Sequence, residues 1–128
     1  MTIKDFITSE GITATVEYAD DNPSMPDSDN MNHYRVTLHR GRKQLTTPFS
    51  QGYGITGDPT AESVLECLVM DAQGIENARD FADWAGEYGY NTDSRAAEKS
   101  FRLTLRQANK LRAFLGDSFT VALATEGE

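Results

Sequence analysis

The sequence predicts an α+β fold, a small antiparallel β-sheet of about three strands followed by and packed against three helices. Three observations lead there. Apolar and polar residues alternate with period 2 in several short runs before residue 57; from Asp58 the apolar spacing changes to 3 and 4; and the strands precede the helices instead of alternating with them. With 128 residues, 38% hydrophobic and 25% charged, the composition suits one domain over residues 1–128, mainly β over 1–57, mainly α over 58–116, with a tail over 117–128.

Ile3, Phe6 and Ile7 fit either one turn of helix or a first strand. Ile12 to Tyr18 alternates strictly, the pattern of a half-buried strand. Asp20 to Asn32, with Pro23, Pro26 and four aspartates, reads as loop. Tyr34, Val36 and Leu38 form the inward set of a second strand, Arg40-Gly41-Arg42 supplies a hairpin turn, and Leu45, Thr47 and Phe49 form the inward set of a third. Pro48 cannot donate a ladder hydrogen bond, which puts that strand, or its end, at a sheet edge. Asp58 and Pro59 mark the start of a helix whose apolar face is Ala61, Val64, Leu65 and Leu68, ending near Gly74. A second helix spans Glu76 to about Tyr88, buries Ala78, Phe81, Ala82, Ala85 and Tyr88, and stops at Gly89. The third begins at Thr92-Asp93-Ser94, carries Ala97, Phe101, Leu105, Ala108, Leu111 and Leu115 inward, and ends at Gly116. Ser118 to Ala124 fits a short strand.

Several function classes fall away. Cys67 is the single cysteine, which removes a disulfide scaffold and a zinc finger and suits a reducing cytosol. No run approaches 18 apolar residues and no signal peptide pattern opens the chain, so neither a membrane partner nor secretion is expected. The net charge of −8 divides unevenly: residues 1–57 hold 5 basic and 7 acidic groups, 58–93 hold 1 and 9, and 94–128 hold 6 and 4. That total disfavours nucleic-acid binding by the chain as a whole and leaves a local basic patch open.

Four features bear on chemistry. Gly52-Tyr53-Gly54-Ile55-Thr56-Gly57 is a literal GxGxxG, with Asp71 near the distance of a ribose-binding acid, but a dinucleotide site needs a parallel βαβ unit and this strand belongs to a hairpin. The loop acids Asp20, Asp21, Asp27 and Asp29 lack the glycine and bidentate Glu of a calcium loop, and His33 and His39, on the polar face or end of one strand, have no Ser, Cys or carboxylate fixed beside them by spacing. No metal, cofactor or catalytic residue is expected, and the chain is read as a non-enzyme. Glu76, Asp80, Asp83 and Glu87 follow at spacings of 4, 3 and 4, within about 60° on one helix face. That acidic stripe is either a solvated face or a surface for a basic partner, and Glu62 and Glu66 extend its field. Arg95, Lys99, Arg102, Arg106 and Lys110 form a basic stripe on the third helix, which either meets the acidic helix, faces water, or docks an acidic partner or phosphate backbone. Trp84, Tyr88 and Tyr90 suit a core or an interface anchor.

Tyr34-Arg35-Val36-Thr37-Leu38, Thr47-Pro48-Phe49, the helix Glu62-Ser63-Val64-Leu65-Glu66-Cys67-Leu68, and above all Phe81 through Glu98, centred on Tyr88-Gly89-Tyr90-Asn91-Thr92-Asp93-Ser94-Arg95, resemble a family of small phage and prophage proteins. The resemblance covers residues 34–116, and the chain departs from it at Gly52–Asp58 and in the Pro-containing loop before Tyr34. The family carries no assigned catalytic residues, so none transfers. The resemblance implies a mobile-element origin, the cytoplasm of an infected or lysogenic bacterial host, and a counter-defence role of the anti-CRISPR kind. Stoichiometric inhibition of a host defence nuclease or nucleoprotein complex through the acidic stripe is one expected function. The other is a phage nucleic-acid-metabolism accessory that binds DNA or RNA through the basic helix.

Overall fold

The structure, a computed structural model, describes residues 1–19, 31–52, 54–87, 89 and 94–125. It is an α+β fold in which one antiparallel sheet is covered on one face by helices. The elements in chain order are α1 (Ile3–Glu10), β1 (Thr13–Tyr18), β2 (Met31–Arg40), β3 (Lys43–Gly52), α2 (Ala61–Asn77), α3 (Phe81–Glu87), α4 (Arg95–Leu115) and, after a 3-10 turn (Gly116–Ser118), α5 (Phe119–Leu123).

The opening segment is a helix. Its apolar residues at i, i+3 and i+4 share one helical face, whereas a strand would have turned Phe6 away from Ile3 and Ile7. Thr2 caps it by accepting the Asp5 N–H, and Gly11 ends it at φ 66° while Ile12 N–H reaches Ile7 O, a Schellman closure.

The sheet order is β1-β2-β3. Arg40 pairs with Lys43 across the two-residue turn Gly41-Arg42, with Gly41 at φ 61°. Counting from that hydrogen-bonded pair, Pro48 opposite Arg35 occupies a non-hydrogen-bonded position. Its missing N–H therefore faces the free edge of β3 and interrupts the row of edge donors. Met31 and Asn32 belong to β2, longer than the alternation of Tyr34, Val36 and Leu38 alone indicates.

The helical half departs from expectation at three places. First, α2 starts later and runs further. Thr60, not Asp58, is the N-cap, because its hydroxyl accepts the Ser63 N–H at 3.1 Å while Ser63 Oγ accepts the Thr60 N–H at 3.0 Å; the helix then passes through Gly74 to Asn77. Second, Glu76 to Tyr88 is not one helix. The backbone leaves helical geometry at Ala78 (φ −83°, ψ 138°), and a new helix begins at Phe81. Asp80 accepts the Asp83 N–H at 2.9 Å and Asp83 accepts the Arg79 N–H at 3.0 Å, so two aspartates form the new N-terminus. Third, the segment after Gly116 is helical rather than a strand, which buries Phe119 and Ala122 one turn apart.

The core lies between the inner sheet face (Tyr34, Val36, Leu38, Leu45) and the helices, where Phe6, Leu65 and Leu111 are fully enclosed. Phe81, Trp84 and Phe101 form a separate aromatic cluster joining α3 to α4, with Phe101 5.3 Å from Phe81 and 5.2 Å from Trp84. Ala97, Ala108, Leu111 and Leu115 are buried as their spacing predicts, but Leu105 is 37% exposed because it lies at the border of the buried face. Phe114, absent from the expected set, is buried there.

Candidate functional site

The four acids expected on one stripe are divided by the break at Ala78. Glu76, in the last turn of α2, is ion-paired with Arg112 of α4, whose guanidinium also lies 4.9 Å from the centre of the Phe119 ring. Asp80 and Asp83 serve as helix caps, and Asp83 also pairs with the Arg79 side chain at 3.7 Å. A charge reversal at Asp80 or Asp83 would therefore disturb α3 itself. Glu87 and Asp83 face Asp71 across a groove of about 490 Å³ between α2 and α3, together with the exposed Met70.

Partial burial raises the Asp71 carboxyl above its ordinary value of 3.8. Its ionisation therefore costs more in the folded than in the unfolded chain, and this destabilisation develops as pH rises from 3.8 through the raised value. Asp71→Asn is expected to melt higher than the parent at pH 7 and level with it below pH 3.8. A difference that stays constant across that range would contradict this assignment. Desolvation, then the charges of Asp71 and Glu66, raise the Cys67 thiol as well, keeping it protonated and a poor nucleophile.

The basic stripe is intact. Arg95, Lys99, Arg102, Arg106 and Lys110 are all exposed on α4, within about 80° of one another at 100° per residue. Arg102 pairs with Glu98 one turn before it, at 2.5 Å. The other four make no ion pair among the described residues, and none of the five reaches the acidic set. Among the described residues, the ion pair joining the two charge fields is Arg112–Glu76, and Arg112 lies off the stripe.

Two cations that spacing does not reveal, Lys43 and Arg40, meet the end of this surface, and Lys43 extends it. Ala113 continues the direction of the stripe, at 3 residues from Lys110, and its carbonyl accepts a hydrogen bond from Lys43 Nζ at 3.2 Å, 70 residues away in the chain. Arg40 beside it donates to Phe114 O at 3.2 Å and Ser118 Oγ at 3.5 Å, and pairs with Glu10 at 3.3 Å. Both cations satisfy carbonyls at the negative end of the α4 dipole, which anchors the hairpin tip against the helix. Arg42 in the turn is exposed beside them. One strip thus carries Arg42, Lys43 and the five stripe residues, 7 of the 12 Lys and Arg in the chain. From Arg95 to Ala113 it spans about 27 Å. The sequence signal is present at Arg40-Gly41-Arg42-Lys43, where turn chemistry alone accounts for the glycine and not for the cations around it.

Between β3 and α4 runs a seam with two hollows. Near the hairpin, about 540 Å³ is bounded by Lys43, Leu45 and Thr46 on the strand and Lys110 and Phe114 on the helix. Further along, about 340 Å³ is bounded by Pro48 and Phe49 on β3, Leu68 on α2, and Leu103 and Gln107 on α4. Leu103 is 52% exposed. Gln107 Oε1 is buried with no hydrogen-bond partner among the described residues, a deficit of about 1–3 kcal/mol for a neutral polar group.

The glycine-rich run and the histidines have structural roles. Gly52 ends a strand antiparallel to its neighbour, and Gly57, at φ 86°, has its carbonyl held by Gln51 Nε2 at 2.8 Å. This is a loop closed by its own strand, not the phosphate turn of a parallel βαβ unit. Cross-strand pairing does set Ser50 beside His33, Oγ to Nδ1 2.7 Å, where spacing fixes nothing. Similar bonds join Thr37 to Thr46 at 2.9 Å and His39 to Thr15 at 2.8 Å, so all three belong to the polar outer face of the sheet. Asp20, Asp21, Asp27, Asp29, Tyr88, Tyr90, Thr92 and Asp93 lie outside the described residues. Among the described residues, no group of three His, Cys, Asp or Glu side chains is placed to hold a metal ion, and no helix is long and apolar enough to cross a membrane. The chain matches no protein-family model, no curated protein and no solved structure.

Proposed function

We propose that the chain is a non-catalytic accessory protein of mobile-element origin that binds the phosphate backbone of a nucleic acid along the strip formed by α4 and the β2–β3 hairpin. The convergence of Lys43 with the α4 stripe carries this reading. Cations on one helix face are commonplace, whereas a hairpin that delivers further cations in line with them makes a longer positive track. The net charge of −8 does not oppose it, since 9 of the 20 acids fall in residues 58–93, which contribute one cation. Repulsion from that region would orient a polyanion onto α4. Titration of labelled DNA and RNA oligonucleotides at low salt is expected to show saturable binding that weakens steeply as salt is added. No binding at tens of micromolar protein would sink the reading.

A second reading keeps the chain as a stoichiometric inhibitor of a host defence nuclease or nucleoprotein complex. It is favoured by the groove where Asp71, Asp83 and Glu87 converge, which suits a basic segment of such a partner. Glu87→Lys leaves the caps of α3 in place and distinguishes the two. It would abolish inhibition on this reading and leave oligonucleotide binding intact or stronger on the first.

A further inference from the structure

The seam between β3 and α4 gives the backbone-binding surface a second component, whose role rests on the reading of the basic strip as a phosphate track. On α4, Leu103 lies four residues after Lys99 and three before Arg106, while Gln107 lies three before Lys110. Residues at these spacings are neighbours on a helix surface. The apolar hollow and the cations thus share one helix and differ only in the side they face, with Leu103 and Gln107 turned toward β3 and the cations toward solvent.

Phe49, Leu68 and Leu103 supply the apolar part of the lining, with Pro48 at the strand edge beside them, and the volume of about 340 Å³ falls in the range of small-ligand sites. The Gln107 amide, whose oxygen lacks a donor among the described residues, adds polar recognition to a lining that also holds Thr47, Thr104 and the Asp71 carboxylate. A planar group with apolar faces and N–H donors on its edge matches both features, provided that it is tethered to an anion lying on the cations alongside.

We propose that this hollow seats an unpaired nucleobase of a single-stranded nucleic acid, its faces against Phe49 and Leu103 and an edge N–H donating to Gln107 Oε1, while the adjoining phosphates lie on Lys99, Arg106 and Lys110. A base within a duplex has its faces stacked and its edge paired, so the site selects single strands. The hollow nearer the hairpin, with Lys43 and Lys110 on its opposite banks, continues the path of the strand.

Anisotropy titrations of the wild-type protein test this with four probes of equal length: single-stranded DNA, single-stranded RNA, a strand built wholly of abasic residues, and duplex DNA. The expected result is at least tenfold weaker binding of the abasic strand and the duplex than of a strand with bases, with DNA against RNA showing which sugar the path accepts. An abasic strand that binds as tightly as the normal one overturns the base seat and leaves the phosphate track standing. Failure of all four probes overturns both. Gln107→Leu is expected to weaken the base-bearing strand several-fold and leave the abasic strand unchanged; an equal loss on both probes would mean that Gln107 acts only through the fold and would overturn its assigned role.

Discussion

Truncating Leu111 to Ala is expected to remove about 2–5 kcal/mol of stability, a large part of what a single domain possesses. Leu111 is wholly inaccessible and belongs to the main core, where α4 packs against the sheet and α2. Rigid neighbours on several sides limit collapse into the vacated space. Phe101→Ala removes a larger side chain, but Phe101 is only partly buried and belongs to the satellite cluster with Phe81 and Trp84. Its loss should be smaller and should show first as loosening of the short α3, seen in Trp84 fluorescence before the global transition. Denaturant midpoints for the two variants check this order. A larger drop for Phe101→Ala would mean that α3 and α4, not the sheet interface, hold the centre of the fold.

Reversing Lys99 and Arg106 to Glu is expected to weaken oligonucleotide binding on the order of ten- to a hundredfold with little change in stability. Both side chains are exposed and make no ion pair among the described residues, so substitution should cost under about 0.5 kcal/mol. The same change at Arg112 would be a different experiment, because Arg112 holds Glu76 and lies over Phe119. Undiminished binding by a folded Lys99→Glu, Arg106→Glu protein would remove α4 from the interface.

Much of this architecture is legible where the physics is local. The alternation of Tyr34, Val36 and Leu38, the glycine turn and Pro48 specify the hairpin and its free edge without reference to the rest of the chain. Ala97, Ala108, Leu111 and Leu115 similarly specify the buried face of α4. The break between α2 and α3 is less legible because Ala78, Phe81, Ala82 and Ala85 keep helical spacing across it. There the acids decide: Asp80 and Asp83 satisfy N–H groups as caps, a role open to the same side chains that periodicity assigns to a continuous acidic face. Competition between capping and helix propagation is close in energy, and spacing alone does not resolve it. The tail after Gly116 fails for a related reason, since Ser118 to Val121 alternates while Phe119, Ala122 and Leu123 carry helical spacing. The basic strip shows the other limit. Its helical part follows from five positions on one helix, but its continuation through Lys43 depends on a contact between distant segments, which no local pattern encodes.

The salt dependence of binding by the wild type and by Arg42→Ala, Lys43→Ala tests most directly whether hairpin and helix form one phosphate track. Each phosphate neutralised contributes about −0.7 (single strand) to −0.9 (duplex) to the slope of log K against log salt. A continuous track requires a steep negative slope for the wild type, and for the hairpin variant a slope shallower by about one to two such contacts, with stability lowered by no more than the lost Lys43–Ala113 hydrogen bond, about 0.5–1.5 kcal/mol. Equal slopes for the two proteins, or a wild-type affinity indifferent to salt, would contradict it.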